Sequence, residues 1–473
     1  MRKPGRLELS REEMRALGYQ VVDAIVEHLE KLPGEPVGRL GQREALEALL
    51  REPPPEQGTN AAPLVRFLEE HVFASILHVD HPRFFAFVPS PSNFVGVMAD
   101  ALASGFNGFA GSWFSGSALA QVELVTVDWL RQLCGLPDRA GGLFVSGGSM
   151  ANLTCLAVAR HVRLDDRMAG AVVYFSDQTH SSVERALRVL GFQSEQFARL
   201  PSDVAFRLDL EALRHAVALD RAADRTPFCV VANAGTTNTG AVDPLPALAR
   251  FCRDEGLWLH VDGAYGAAAA LAPEGRALLE GLEEVDSLSL DPHKWLFQPF
   301  ETGCALVRDE RWLADTFRIL PEYLRDVHGA AEEVHFCDRG VQLTRGFRAL
   351  KLWMSLKVFG LAAFRDAMVW GLHLAEVAER CLREHDCFEI VTPAQLGVVT
   401  FRYAPPGLAA EDAEAINQRL VGAMLADGYA VLTTTVLRGR TVLRLCTINP
   451  RTTEEEIAET VRRLARLGEQ LRA

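Results

Sequence analysis

The chain has 473 residues, a mass of 52.0 kDa and a formal net charge of −13 at neutral pH. Its 48% hydrophobic and 23% charged residues are typical of a globular protein, and the acidic balance argues against nucleic-acid binding, which requires clustered Lys and Arg. No run of about 18 apolar residues predicts a membrane span, and the N-terminus lacks the apolar core of a signal peptide. We therefore expect a cytoplasmic protein.

The N-terminal segment, residues 1–75, begins with a helix signal. Ser10 and Glu13 form a candidate capping box, and apolar residues follow at helical spacing. These are Leu17, Val21, Ala24, Ile25, Leu29 and Leu32. A short terminal helix must bury such a stripe, and we expect a partner subunit to cover it. Residues 51–60, rich in proline, predict an extended linker.

Residues 76–355 alternate apolar runs of strand length with helical stretches. The runs are "GGLFVSGG", "GAVVYFSD", "FCVVANAG", "LWLHVDG" and "SLSLDPHK". Strands that are apolar throughout, with helices between them, predict an α/β fold with a mainly parallel sheet between helices. Active sites in such sheets lie at the carboxyl ends of the strands, and each of the five runs ends there in polar or glycine residues.

The first of these strand ends, Gly147-Gly148-Ser149, opens the following helix. Backbone N–H groups and the helix dipole at such a position attract an anion such as phosphate. The stretch is neither a P-loop nor a G-x-G-x-x-G turn, so taken alone it favours an ordinary tight turn into a helix.

Two later strand ends carry opposite charges. Asp262 ends "HVDG", and Lys294 follows 32 positions later (294 minus 262), which fits one helix and a return strand to the same sheet edge. Asp262 alone could be a helix N-cap. However, a buried carboxylate needs a positive partner, and a desolvated lysine is a usable amine nucleophile.

Pyridoxal 5′-phosphate is one ligand that matches all three strand ends. Its aldehyde forms a Schiff base with lysine, its phosphate suits a helix N-terminus, and its ring nitrogen stays protonated beside a carboxylate. We therefore predict Lys294 at the aldehyde, Asp262 at the ring nitrogen, and Gly147, Gly148 and Ser149 at the phosphate.

Two further strand ends supply neutral side chains. His180, in "SDQTH", could stack on a pyridine face; a lone histidine is more often a core residue, but its position at this sheet edge favours the functional interpretation. Thr237, in "NAGTTNTG", could donate to the cofactor ring oxygen or to Asp262, or could be a plain turn threonine.

After about residue 356 the pattern changes. "CFEIV", "GVVTFRY" and "TVLRLCTI" predict strands, and helices are expected near 410–427 and 453–471. Residues 356–473 thus predict a small C-terminal α/β domain behind the large cofactor-binding domain. The nine cysteines contain no C-x-x-C pair, so we expect free thiols, no disulfide framework and no bound metal.

The ordered motifs "SGGSMANL", "SDQTHSSVERA", "NAGTTNTGAVDPL", "HVDGAYG", "DPHKW" and "RGFRALKLWM" resemble those of the group II pyridoxal-phosphate decarboxylases, on the aromatic branch. The resemblance implies fold type I, a homodimer with interleaved N-terminal segments, and loss of CO2 from an L-amino acid, most closely an aromatic one. It gives Lys294 the role of Schiff-base lysine, Asp262 that of ring-nitrogen partner and His180 that of stacking residue.

The resemblance also implies further contacts. Those with the cofactor are Thr237 near the ring, Ala264 under it, and Gly148, Ser149 and His293 at the phosphate. Those with the substrate region are Pro89, Ser90, Phe109 and Gly111.

Two positions depart from the family pattern. Asp291 stands where the aromatic branch often has Asn, and a second carboxylate near phosphate should repel it unless turned away. Gly111, in "FAGSW", replaces an aromatic pocket wall of the relatives, which predicts a roomier or differently shaped pocket.

The segment "EEVHFCDRG" is polar and turn-rich, as expected of a mobile loop over a site. A loop tyrosine of the aromatic branch helps return a proton to the carbanion, and counting back from "RGFRALK" places Phe336 there. Phe336 has no proton to donate, so we expect amine with some oxygen-dependent aldehyde, unless His335 donates instead or Phe336 is only a hydrophobic plug.

The sequence thus predicts a dimeric carboxy-lyase that depends on pyridoxal phosphate (PLP), with a small-molecule amino-acid substrate and no nucleic-acid or membrane partner. Three alternatives remain open. An aldehyde synthase would release peroxide, an aminotransferase or lyase of the same fold would need an α-keto acid, and a non-catalytic scaffold would lack the visible absorbance of the cofactor.

Overall fold

The computed structural model describes residues 7–319 and 333–472. Its helices are α1 (Arg11–Lys31), α2 (Arg43–Leu50), α3 (Ala61–Phe67), α4 (Phe94–Phe106), α5 (Trp113–Leu133), α6 (Gly148–Leu164), α7 (Ser181–Val189), α8 (Leu210–Ala222), α9 (Leu245–Glu255), α10 (Pro273–Leu278), α11 (Arg311–Phe317), α12 (Ala349–Arg383), α13 (Ala410–Asp427) and α14 (Glu454–Arg472). Its strands are β1 (Gly141–Val145), β2 (Ala171–Ser176), β3 (Phe197–Leu200), β4 (Thr226–Asn233), β5 (Trp258–Asp262), β6 (Ser287–Leu290), β7 (Gly303–Val307), β8 (Phe388–Gln395), β9 (Val398–Tyr403), β10 (Thr433–Leu437) and β11 (Arg440–Cys446).

The large domain is built on a seven-stranded sheet in the order β1-β7-β6-β5-β4-β2-β3. The predicted α/β fold class with a mainly parallel sheet is confirmed, and all five predicted strands form. Strands β3 and β7 were not predicted. Strand β3 is only half-buried and lacks an apolar run. Strand β7 has five residues and follows β6 without a helix between them.

Strand β7 runs antiparallel to both of its neighbours, β1 and β6. Val145 at the end of β1 pairs with Gly303, and Leu290 at the end of β6 pairs with Cys304. Since both neighbours oppose β7, they run in the same direction as each other. The carboxyl ends of all five predicted strands therefore lie along one edge of the sheet.

Both faces of this sheet are buried. Val172 and Tyr174 of β2 lie in one apolar cluster, and the intervening Val173 and the next residue, Phe175, lie in another. Successive side chains of a strand point to opposite faces, so helices cover the sheet on both sides. This arrangement leaves the strand ends as the place where polar side chains can reach a ligand.

The small domain has a four-stranded antiparallel sheet in the order β10-β11-β9-β8, and α13 and α14 match the two predicted helices. The predicted boundary at residue 356 falls inside α12, a 35-residue helix that kinks at Gly360, where φ is 76°. Among the described residues, α12 alone has the length and apolar composition that a membrane span would need, a test that buried helices of globular proteins also pass.

Helix α1 begins with the predicted capping box: Glu13 N–H donates to Ser10 Oγ (3.2 Å), and Ser10 N–H donates to the Glu13 carboxylate (2.7 Å). No residue of α1 is buried within the single chain, whereas Leu32, directly after it, is fully buried. The rest of the chain thus does not fully cover the apolar stripe of α1.

Candidate active site

A cleft of about 330 Å³ opens at the carboxyl edge of the large sheet. It is lined by all nine predicted cofactor contacts: Gly147, Gly148, Ser149, His180, Thr237, Asp262, Ala264, His293 and Lys294. They come from the ends of β1, β2, β4, β5 and β6, so the topology brings together residues that are far apart in sequence. The volume lies in the usual range for small-ligand sites.

The N-terminus of α6 forms one end of the cleft. Helix α6 begins at Gly148, and the first N–H groups of a helix have no acceptor within the helix. A Cβ atom on Gly148 would lie 2.8 Å from Asp291 Oδ2 and 2.9 Å from the Ala264 side chain, so this close approach requires glycine. Free N–H groups and the dipole of a 17-residue helix make this end suitable for a phosphate.

Lys294 lies in the turn after β6, and its Nζ is 2.9 Å from Asp291 Oδ2. About a quarter of the lysine side chain is exposed, towards the cleft, while Trp295 and Leu296 beside it are buried. Asp291 is itself buried and is not turned away from the phosphate end; the Lys294 cation balances its charge instead. This ion pair holds the Lys294 side chain at the cleft.

Asp262 ends β5 as a buried carboxylate with three donors. Oδ1 accepts from Ala264 N–H (3.1 Å) and the Ser289 hydroxyl (3.2 Å), and Oδ2 accepts from Asn152 Nδ2 (2.9 Å). Burial alone would raise the pKa of Asp262, but the Lys294 charge and these donors together lower it below its ordinary value. The group is therefore an anion at neutral pH, as a partner for a protonated ring nitrogen must be.

The two predicted site histidines occupy different places. His180 caps α7, and its Nδ1 accepts from Ser182 N–H (3.2 Å). Although part of its ring is exposed at the cleft mouth, loss of hydration elsewhere lowers the pKa of His180. His293 is buried, and its Nδ1 accepts from Thr302 N–H (3.2 Å) while its Nε2 lies 3.6 Å from Asp291 Oδ2. Burial is the chief cause that lowers the pKa of His293 as well.

Two polar residues behind Asp262 were not predicted from the sequence. Asn152, one turn into α6, donates to Asp262, and His260, two positions before Asp262 on β5, is hydrogen-bonded to the Asn152 side chain. Both are fully buried. His260 stands inside an otherwise apolar strand, and this could have indicated a buried hydrogen-bond network, because a buried polar group needs a partner.

The residues therefore fit pyridoxal phosphate: an anion site, an amine and a buried carboxylate face one cleft. A family model, the pyridoxal-dependent decarboxylase conserved domain, matches residues 44–404. This chain belongs to that family. It is a pyridoxal-phosphate-dependent carboxy-lyase of fold type I.

Individual relatives of this decarboxylase span almost the whole chain. An aromatic-L-amino-acid decarboxylase of Bacillus atrophaeus is 51% identical, covering 98% of this chain and 97% of the relative. A phenylacetaldehyde synthase of a Rosa hybrid cultivar is 31% identical, covering 95% and 92%. The crystal structure of Oryza sativa TDC with PLP and tryptamine superposes with a TM-score of 0.93 at 30% identity, covering 99% and 100%.

The four predicted substrate contacts of the decarboxylase lie outside the cleft of the single chain. Ser90 is nevertheless close to it, because its hydroxyl donates to the carbonyl of His293. At Gly111, a Cβ atom would collide with the Phe109 ring and lie 2.7 Å from the Leu343 carbonyl oxygen. The space at Gly111 is thus already filled in the single chain, and a roomier or differently shaped substrate pocket stays a prediction.

The prediction that Phe336 covers the active site from a lid is also wrong. Of the proposed loop, Glu332 lies outside the described residues, and Phe336 is fully buried in the apolar cluster that holds Leu143 and Val145. The guanidinium of Arg345 lies 4.9 Å from its ring centroid. Packing in the core leaves this ring no role over the cleft.

His335, the alternative proton donor, is buried as well and does not line the cleft. Its Nδ1 accepts a long hydrogen bond from Trp113 N–H (3.4 Å), and the next residue but one, Cys337, donates its N–H to the Gly111 carbonyl (2.8 Å). This segment is therefore packed on the start of α5. Neither Phe336 nor His335 thus reaches the cleft to decide between amine and aldehyde.

We expect Phe336→Tyr to destabilise the decarboxylase by about 1–3 kcal/mol, because it buries a hydroxyl without a partner, and to leave the ratio of amine to aldehyde unchanged. Phe336→Ala should cost about 3–5 kcal/mol through the cavity it leaves. Urea unfolding and product analysis check both. Leu219→Ala, at an exposed position of α8, is the control and should change stability by less than about 0.5 kcal/mol. A changed product ratio in Phe336→Tyr would contradict the core assignment.

Proposed function

We propose that this chain decarboxylates an aromatic L-amino acid to the corresponding amine and CO2. The observation that carries the cofactor chemistry is the meeting of Lys294, Asp262 and the α6 N-terminus in one cleft, and the reaction type rests on the family match over residues 44–404. The aromatic substrate class rests on the 51% identity with an aromatic-L-amino-acid decarboxylase over nearly the full length of both chains.

The side chains divide the work between them. The N-terminus of α6 binds the phosphate, Lys294 supplies the amine for covalent attachment, and the Asp262 carboxylate holds a proton at the ring nitrogen. When bound, pyridoxal phosphate supplies the electron sink that stabilises the carbanion left by CO2. His180, at the cleft mouth, is in position to cover one face of the ring. Asp291 holds the Lys294 amine whenever that amine is not attached to the cofactor.

A panel of L-amino acids tests this proposal when amine, CO2, aldehyde and peroxide are measured together. We expect tryptophan, tyrosine or phenylalanine to give equal amounts of amine and CO2, and glutamate to give neither. Preferred decarboxylation of glutamate would refute the aromatic substrate class.

The second candidate is an aldehyde synthase, which the similarity to a phenylacetaldehyde synthase favours. It would consume oxygen and water and release aldehyde, ammonia and peroxide in place of amine. The same panel distinguishes the two, because only the second makes peroxide in proportion to CO2.

We infer that the working unit is a homodimer. The apolar stripe of α1 has no buried residue in the single chain. Large apolar side chains are also exposed on α4, α5 and α12: Leu102, Phe106, Phe114, Val358 and Phe359. An exposed apolar surface spread over four helices marks an interaction site, and a second copy of the chain is the partner that the family resemblance implies.

Deleting residues 1–35 should shift the protein from dimer to monomer and increase the binding of a hydrophobic dye, because the stripe of α1 is lost and its contact surface is uncovered. The double substitution Val21→Glu with Ile25→Glu should act in the same direction, since a charge buried in an interface is costly. Glu27→Gln, on the polar face of α1, is the matched control and should remain a dimer. Light scattering decides the point; a stable, active dimer without residues 1–35 would remove the inference.

A further inference from the structure

A continuous chain of buried hydrogen bonds leads from the sheet interior to Asp262. Trp258 Nε1–H donates to Ser287 Oγ (2.8 Å), which lies 2.9 Å from His260 Nδ1. His260 Nε2 is 2.9 Å from Asn152 Oδ1, and Asn152 Nδ2 donates to Asp262 Oδ2 (2.9 Å). Each of the four residues behind Asp262 is at most 1% exposed.

The directions of these bonds are fixed from the Asp262 end. An ionised carboxylate only accepts, so Asn152 presents Nδ2 to Asp262 and Oδ1 to His260 Nε2, which therefore carries a proton and donates. Burial lowers the pKa of His260 to about 4, so the ring is neutral and its Nδ1 carries no proton. Nδ1 accepts from the Ser287 hydroxyl, whose oxygen accepts from the Trp258 indole N–H. His260 thus holds the Asn152 amide with its nitrogen towards Asp262.

The second N–H of the same amide reaches the other side of the cleft. Asn152 Nδ2 also donates to Ser182 Oγ (3.0 Å), whose hydroxyl lies 2.9 Å from His180 Nδ1. His180 Nδ1 accepts from Ser182 N–H (3.2 Å) and so carries no proton, which leaves it an acceptor for the Ser182 hydroxyl as well. In neutral His180 the proton is then on Nε2. One buried amide thus donates both of its N–H groups, one to the Asp262 carboxylate and one to the Ser182 hydroxyl beside His180.

We propose that Asn152, fixed by His260, is a positioning residue that holds Asp262 Oδ2 for the cofactor ring nitrogen. The proposal rests on the proposed function only for the role of Asp262. Oδ1 of Asp262 has two other donors, Ala264 N–H and the Ser289 hydroxyl, whereas the bond from Asn152 is the single one that Oδ2 receives within the described residues.

The physical effect of Asn152 is on the charge of the carboxylate. A donor to an ionised carboxylate favours the ionised form, and within a buried chain no water can replace a lost donor. Without Asn152, the proton shared between Asp262 and the ring nitrogen moves towards the carboxylate. The ring nitrogen would then carry less positive charge, and CO2 release would slow although the cofactor remains bound.

The test compares Asn152→Leu with the wild type after loading both with cofactor labelled with ¹⁵N at the ring nitrogen. We expect the ¹⁵N resonance to move towards the unprotonated position, and kcat to fall about 10- to 100-fold, the range seen when a metal ligand loses its supporting hydrogen bond. KM and the cofactor dissociation constant should change by less than about threefold, because neither the phosphate site nor Lys294 is altered.

A pair of substitutions at His260 tests the same chain without touching Asn152. His260→Gln keeps an N–H within reach of Asn152 Oδ1 and should retain the wild-type ¹⁵N resonance and most of kcat. His260→Leu removes that donor and should behave like Asn152→Leu. If Asn152→Leu does not fold, this pair carries the test alone.

Asn417→Leu is the matched control, because Asn417 is equally buried and donates to two carbonyls, of Tyr403 and Ala413, in the small domain. It should lower thermal stability but leave the ¹⁵N resonance and kcat unchanged. A wild-type resonance in both Asn152→Leu and His260→Leu, or the same fall in kcat in Asn417→Leu, would overturn the proposal. The resonance is measured without substrate, so a failure of the aromatic substrate class would leave this test intact.

Discussion

Lys294→Arg is expected to fold like the wild type, to bind cofactor without a covalent bond and to lose decarboxylation by about 10²- to 10⁴-fold, the usual contribution of a group that acts directly in the chemistry. Arginine keeps a positive charge beside Asp291, whose carboxylate would otherwise be buried without its cation. A guanidinium, however, stays protonated and cannot attack an aldehyde. Borohydride reduction followed by mass spectrometry should find no cofactor attached to the variant.

Lys357→Ala is the control for that experiment, because Lys357 is exposed on α12 and does not line the cleft. It should be labelled as the wild type is. The chain has few lysines, so the labelled peptide is easily assigned. Labelling of Lys294→Arg at wild-type yield would show that another lysine is the nucleophile.

Asp262→Asn should lower kcat by a comparable factor, about 10²- to 10⁴-fold, while cofactor occupancy changes little. The amide cannot hold a proton at the ring nitrogen, but Lys294 and the α6 N-terminus still bind the cofactor. The pKa of Asp262 is lower in the folded protein than in the unfolded chain. The folded protein therefore keeps this negative charge until the pH falls through that lowered pKa. Between pH 6 and 8 the wild type should therefore show no loss of activity from this group.

Asp243→Asn is the matched control for a buried carboxylate. Asp243 is 2% exposed and accepts from the N–H groups of Leu208 and Asn233, but it does not line the cleft. Burial raises its pKa to about 6, so its charge opposes folding as pH rises from about 4 to 6. Asp243→Asn should change the pH dependence of the free energy of unfolding and leave kcat unchanged. Wild-type turnover in Asp262→Asn would refute the role of Asp262.

The cofactor cleft could be predicted because its signal is local in the sequence. An apolar run that ends in a polar or glycine residue identifies both a strand and its functional end, as in Asp262 and Gly148. Asn152 and His260 carry no such signal. Their contact depends on how α6 packs against β5, and that packing is set by three-dimensional distances of a few ångströms rather than by spacing along the chain.

Phe336, in contrast, was predicted at the site but lies in the core. Counting residues back from a motif fixes a position in the chain but not the direction in which a turn points its side chains. Here the guanidinium groups of Arg339 and Arg345 lie against the Phe336 ring, and the ring enters the core. A phenylalanine in a polar stretch is more simply explained as the residue that attaches the stretch to the core.

The reversed direction of β7 has a consequence for the order of events during protein synthesis. Within the part of the chain that the structure describes, strand β1 pairs only with β7, so β1 cannot be paired until residue 307 has left the ribosome. The phosphate end of the cleft follows directly from β1, while Lys294 is made shortly before β7. The cofactor therefore meets a nearly finished large domain and cannot guide the folding of its earlier half. Chains produced without pyridoxal phosphate should accumulate in a folded form that is activated when the cofactor is added later.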